Sequence, residues 1–203
     1  MKREEIISIC IICEGYEELD YITRLKDLHV FSSRYSITTV NAKGITRIFP
    51  QYQSKFSSGR YDLVLVFCDT DKGPSENYLE LKMKTNKLHG SDVADQVVIF
   101  GNPCTLQIIL SHFEYLKINS PNKKKNADLI KKYTGIEKYD ATDEQRKKLF
   151  EKINKDNYGF MKQNIRRLSD DDMQLSSTNF LKFANNLESS NKKWIDDITK
   201  NIC

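Results

Sequence analysis

Two stretches of this chain are apolar almost without interruption. Leu63-Val64-Leu65-Val66-Phe67 runs straight into Cys68-Asp69-Thr70-Asp71, and Ile6 to Cys13 runs into Glu14-Gly15. A strand buried on both faces has this signature, because neither face meets water. Ser36 to Val40 and Gln96 to Phe100 are further strand candidates. Between the strands the period changes. From Glu17 to Val30, the residues Leu19, Ile22, Leu25 and Leu28 fall roughly on one helical stripe. Glu17, Glu18 and Asp20 occupy its first turn, where the helix dipole favours acids. Pro74 to Leu88 reads as a second helix, with Tyr78, Leu81, Met83 and Leu88 as its apolar members. Gly44 to Ser58 is ambiguous, because Pro50 falls where a helix interior would be. The clearest helix follows Gly101-Asn102-Pro103: Asn102 suits the N-cap, Pro103 the first turn, and Leu106, Ile109, Leu110 and Phe113 keep one face. Strand and helix alternate over residues 1–116, which predicts an α/β fold with a parallel sheet of about four strands flanked by helices.

After Leu116 the pattern alters. Residues 119–126 form a Pro/Asn/Lys linker, and no convincing strand follows. Asp143 to Ile153, Tyr158 to Leu168, Asn179 to Leu187 and Asn191 to Ile202 read as helices, with Ser177 or Thr178 able to cap the third. The expected organisation is an α/β domain over 1–116 and a basic helical subdomain over 117–203, packed on or beside it.

Charge sharpens that division. The 203 residues carry a net charge of only +4, but its distribution is uneven. Residues 117–167 hold 15 Lys and Arg against 7 Asp and Glu, whereas residues 1–116 hold 13 against 15. A basic lobe beside an acidic one can grip a phosphate backbone, and a solvated helical surface would look the same.

The five cysteines are Cys10, Cys13, Cys68, Cys104 and Cys203. Cys10 and Cys13 are spaced like a metal or redox pair, but on a strand they point to opposite faces and read as core residues. Lys2, Arg3, Glu4 and Glu5 precede an apolar run too short for a secretory leader, and no run approaches the roughly 20 residues of a membrane span. The expectation is a cytoplasmic protein with reduced thiols and no membrane partner.

The candidate chemistry lies where strands end. In an open parallel sheet, ligands sit beyond the carboxyl ends of the strands. Glu14 ends the first buried run, and Asp69 and Asp71 end the second. Glu18 follows Glu14 by one helical turn. Carboxylates alone, without cysteine or histidine, favour Mg²⁺ or Mn²⁺ over zinc. Acids after strands also serve as turn formers and helix caps, so spacing alone leaves both readings open.

Cys13-Glu14-Gly15-Tyr16-Glu17-Glu18, then Tyr61-Asp62 through Asp69-Thr70-Asp71, then Gly101-Asn102-Pro103-Cys104, resemble in order and spacing the motifs of the RloB-like family of the Toprim superfamily. His112-Phe113 fit that family's final motif, and Ser177-Thr178-Asn179 resembles an element opening a late helix. The resemblance implies a Toprim fold and Mg²⁺-dependent nucleic-acid chemistry, with Glu14 as general acid/base and Asp69 and Asp71 as metal ligands. It also implies a bacterial role in defence against phage, near restriction systems. The chain departs from the family at Gly101, where serine is usual, and at Thr105-Leu106 and Ile108, where Phe-Glu and a later Trp are usual.

The expected function is therefore a Mg²⁺-dependent Toprim-type nuclease acting on DNA or RNA. Glu14 and Glu18 are its candidate catalytic residues, and Glu14, Asp69 and Asp71 its metal ligands. Lys72 and Asn102 are the candidate substrate-binding residues: Lys72 can touch a phosphate or simply be solvated, and Asn102 stands at a helix N-terminus that favours anions. The rival is a catalytically weakened Toprim-like protein of a defence or restriction locus, binding nucleic acid or a partner protein. A small-nucleotide-binding regulator using the same carboxylates is a third. His112 falls about 15 Å along its helix from Asn102, which favours a structural role. His29 and His89 are assigned none. The oligomeric state stays open, a homodimer included.

Overall fold

The apolar runs do become strands. The computed structural model describes residues 6–71 and 73–202. Its central sheet holds β1 (Ile7–Cys13), β2 (Tyr35–Asn41), β3 (Leu63–Asp69), β4 (Val98–Asn102) and β5 (Ser177–Thr178), in the order β2-β1-β3-β4-β5. The first four are parallel, and β5 pairs antiparallel to β4. From Ile9 to Cys13 every residue of β1 is buried, as is every residue of β3 except Asp69 at its tip. Continuous apolar runs therefore mark the two central strands, which are covered on both faces. Cys10 and Cys13 are buried free thiols within β1, as are Cys68 and Cys104 elsewhere; Cys203 lies outside the described residues.

Helices cover both sides. α1 (Tyr16–Asp27) packs on β1 and β2. Its Tyr21 ring meets Phe67 of β3 at 6.4 Å between centroids. α2 (Ile48–Ser57) packs on β1 and β3 and is backed by α3 (Glu76–His89). Pro50 is the third residue of α2, a first-turn position where no amide hydrogen bond is forfeited. That resolves the ambiguous stretch in favour of a helix. α4 (Ala94–Val97) takes the first two residues of the expected fourth strand, so β4 begins at Val98 and reaches Asn102.

The helix after β4 departs most from expectation. The Asn102-Pro103 peptide is cis, and α5 spans only Leu106–Leu110, with Thr105 rather than Asn102 at its N-cap. The apolar periodicity is real, since residues 106–110 are all buried. Beyond Leu110 the turns tighten, with the His112 amide on the Ile109 carbonyl (3.2 Å) and the Phe113 amide on the Leu110 carbonyl (3.0 Å), and the Gln107 side chain bonds the Leu116 carbonyl (3.0 Å) and the Ile118 amide (2.8 Å) of the extended stretch that follows. The helix begins three residues later than expected, and Asn102 does not cap it.

The segment after residue 116 is also more structured than its composition suggests. The expected linker ends in a 3₁₀ turn, Lys123–Asn126, that leads into α6 (Ala127–Thr134). α7 (Asp143–Glu151), α8 (Lys155–Ile165), α9 (Phe180–Glu188) and α10 (Lys193–Thr199) match the four expected helices within a few residues. The unexpected strand is β5. Asn179, just after it, accepts from the Phe100 amide (2.9 Å) and donates to the Val98 carbonyl (2.8 Å), so a side chain extends the pairing. The buried apolar core is continuous from Ile7 to Ile198, spanning both stretches of the chain. Among the described residues no helix is long and apolar enough to cross a membrane.

Candidate functional site

In the order β2-β1-β3-β4, the chain leaves β1 toward one edge and β3 toward the other. The crevice beyond the carboxyl ends of β1 and β3 is the switch point where open α/β sheets bind ligands. Glu14 and Asp69 both stand there. The Glu14 amide continues the ladder by donating to the Phe67 carbonyl (2.9 Å), and its Oε2 accepts from the Asp69 amide (3.1 Å). Asp69 Oδ1 accepts from both the amide (2.7 Å) and the hydroxyl (2.8 Å) of Thr105. Glu18 sits at the third position of α1 and accepts from the Gly15 amide (2.9 Å), closing the helix start. These bonds clamp three acids against the ends of two strands.

A cleft of about 310 Å³ opens over them. Glu14, Gly15, Tyr16, Glu17, Glu18 and Asp69 form one wall, and Lys123, Asp140, Ala141 and Arg146 the other. The later segment thus does lie over the strand ends, and ion pairs and hydrogen bonds join the shared apolar core in holding it there. Lys123 pairs with Glu17, and the Tyr139 hydroxyl donates to the other oxygen of Glu17 (2.8 Å). Arg146 binds Asp20 (2.6 Å) and the Ala141 carbonyl (2.5 Å) and lies 4.9 Å from the Tyr16 ring centroid.

Crowded, buried acids hold their protons more tightly than free ones. Burial pushes Glu14 up to about 7; the Asp69 amide opposes this, while the charges of Glu18 and Asp71 add to it. Asp69 is driven well above the usual carboxylate range, first by burial and then by Glu18 and Glu14, against the Thr105 bond. Glu18, only 4% exposed, is raised by burial and by Glu17, and pulled back by contacts with Thr105 and Gly15. A bound cation would relieve all three.

The site residues expected from sequence divide as follows. Glu14, Glu18 and Asp69 come together. Asp71 does not line the cleft. Its backbone takes a left-handed turn (φ 60°), and its carboxyl, raised by burial, acts on Glu14 through its field alone. Lys72 lies outside the described residues. Asn102 is buried behind the site and donates to the Asp172 carbonyl (2.7 Å), anchoring the 169–176 loop. Among the described residues no three Asp, Glu, His or Cys side chains converge closely enough to form a metal cage unaided.

Other site residues were not foreseen. Thr105 holds Asp69, Glu17 anchors the covering segment, and Lys123, Tyr139 and Arg146 close the cleft. The basic excess over 117–167 signalled such cations without choosing among them. Nothing signalled Thr105, whose approach depends on Gly101: a Cβ there would stand 2.8 Å from the Cys104 carbonyl oxygen and 2.9 Å from the Thr105 Cα. The serine usual in the resembled family would collide with that backbone. His112 is structural as expected. It is buried, bonded to the Tyr21 hydroxyl (2.9 Å) and Asn157 (3.1 Å), and held down to about 3 by burial. No protein-family model, curated protein or solved structure matches the chain.

Proposed function

We propose that this chain is a Toprim-type nuclease that hydrolyses phosphodiester bonds of DNA or RNA with Mg²⁺ or Mn²⁺, in bacterial defence against phage. The observation that carries the chemistry is the meeting of Glu14 and Asp69 from neighbouring parallel strands, in a cleft they share with Glu18. The defence role rests on the RloB-like resemblance alone.

The donor set suits a hard cation. It is all oxygen, and burial together raises the hold of these acids on their protons. Magnesium keeps several waters and takes one or two protein carboxylates plus substrate phosphate, so it does not require a three-acid cage. Glu14 and Asp69 would hold it. A bound ion of this kind supplies charge stabilisation at phosphorus and a more acidic water. The chain's own groups do the rest. Glu14, raised to about 7 in the metal-free cleft, would give up its proton on taking the ion, so its part as general acid or base belongs to a carboxyl oxygen that does not hold the metal. Thr105 fixes Asp69 through Oδ1, and among the described residues Oδ2 makes no hydrogen bond. Glu18 stiffens the Gly15 turn that carries Glu14.

A second reading, a nucleic-acid- or partner-binding protein with weakened catalysis, is favoured by one observation. Leu106, standing where the resembled family has glutamate, is buried and has no acid to offer. The two separate on incubation with Mn²⁺ or Mg²⁺ and labelled DNA and RNA. Metal-dependent cleavage that Asp69→Ala and Glu14→Gln abolish supports the nuclease. Absence of metal binding by calorimetry, together with intact substrates, would sink it.

A further inference from the structure

Beside the carboxylate cleft lies a second cavity of about 450 Å³, lined by Lys124, Ala127, Lys138, Tyr139 and Asp140. Asp140 lines both hollows, so they are neighbours. Many cations of the covering segment are engaged: Lys123, Lys131, Lys132, Arg146, Lys148 and Lys162 each pair with an acid. Lys124 and Lys138 are exposed and pair with no acid among the described residues. They outnumber Asp140, the one acid on that cavity's wall. Two unpaired ammonium groups in a concave surface one step from the carboxylates form a seat for phosphate.

The cleft has a second unusual feature. Tyr16 is an aromatic on its wall that is 53% exposed. Most large aromatics here are buried; Tyr16 instead has the Arg146 guanidinium 4.9 Å from its ring centroid, and Arg146 is fixed by Asp20. A ring braced in this way and open to a cleft is a stacking platform for a nucleobase. Bases inside a duplex are already stacked and cannot present a face to it.

We infer that the substrate is single-stranded nucleic acid, with an unpaired base stacked on Tyr16 and a flanking phosphate seated between Lys124 and Lys138. This rests on the nuclease reading for the placement of the scissile phosphate, but not for binding. The test is fluorescence anisotropy on the full chain in EDTA, using a labelled single strand and a duplex of the same sequence. The single strand should bind tighter by about tenfold or more. Tyr16→Ala should lose about tenfold on the single strand and leave the duplex unchanged, whereas Tyr16→Phe should keep wild-type affinity. Lys124→Ala with Lys138→Ala should flatten the slope of log affinity against log salt by about 0.7, the share of the one phosphate contact they make. Equal or tighter duplex binding, an unaffected Tyr16→Ala, or an unchanged salt slope would each overturn the inference. Metal-dependent cleavage with Tyr16-independent binding would remove this inference and leave the nuclease. Tyr16-dependent binding without cleavage would do the reverse.

Discussion

Glu14→Gln should make the metal-free protein more stable while abolishing its chemistry. The glutamine keeps an oxygen able to accept from the Asp69 amide, now 3.1 Å from Glu14 Oε2, but carries no charge. Glu14 ionises at about 7 when folded, against an ordinary 4.5. The folded state therefore binds the proton more tightly, so stability contributed by the protonated acid is complete below 4.5 and lost as pH rises through 7. Ionising it at pH 8 withholds at most about 3 kcal/mol from the folded state. Glu14 is partly exposed, so about 2 kcal/mol is the working value. Urea titrations of wild type and variant at pH 5 and pH 8 in EDTA measure this. The curves should nearly coincide at pH 5 and separate at pH 8, with Glu14→Gln higher by about 4–8 °C in matched thermal scans. Millimolar Mg²⁺ should raise wild type at pH 8 and leave the variant where it was. If the variant gains nothing at pH 8, the cleft does not strain Glu14, and the account of its raised carboxyl fails.

Other perturbations probe neighbouring groups. His112 titrates near 3 when folded, so its contribution is present above its ordinary 6.5 and lost as pH falls toward 3; His112→Leu should cost about 2 kcal/mol at pH 7, by stranding Tyr21 and Asn157, yet flatten the acid limb of a stability–pH profile. Thr105→Val removes one of two donors to Asp69 and should weaken Mn²⁺ binding in calorimetry, with a loss of about 1 kcal/mol in urea. Gly101→Ser drives a Cβ into the Cys104 and Thr105 backbone and should cost about 2 kcal/mol by denaturation, with any cleavage falling alongside. Asp69→Asn keeps the Thr105 contacts and should abolish metal-dependent cleavage with the fold intact by circular dichroism.

The parts legible in the sequence are those where burial writes a period. β1 and β3 are enclosed on both faces and read as unbroken apolar runs; α1 and α9 have one buried face and read at helical spacing. Glu14, Glu18 and Asp69 were legible because topology alone brings the ends of adjacent parallel strands together. What stayed hidden was set by single contacts. α5 keeps apolar spacing over 106–110, but it starts at Leu106 behind Thr105 and gives way to tighter turns after Leu110. β5 has two residues and no alternation to detect. Asp71 follows Asp69 by two positions, but its backbone turns left-handed and its side chain is not among those lining the cleft, and no spacing rule foresees a sign of φ.

The two-residue β5 has a consequence for how the protein is made. β4 borders the candidate site, and among the described residues its outer edge is closed by Ser177, Thr178 and the Asn179 side chain. During synthesis the strands that carry the acids emerge first, and β4 waits for some seventy-five further residues before its edge is covered. Until then a nascent chain displays unpaired amides and carbonyls beside an assembled sheet, a template for pairing with a second copy. Messages that end before residue 177, or proteolysis in the 169–176 loop, would yield a species prone to aggregate rather than a smaller folded protein.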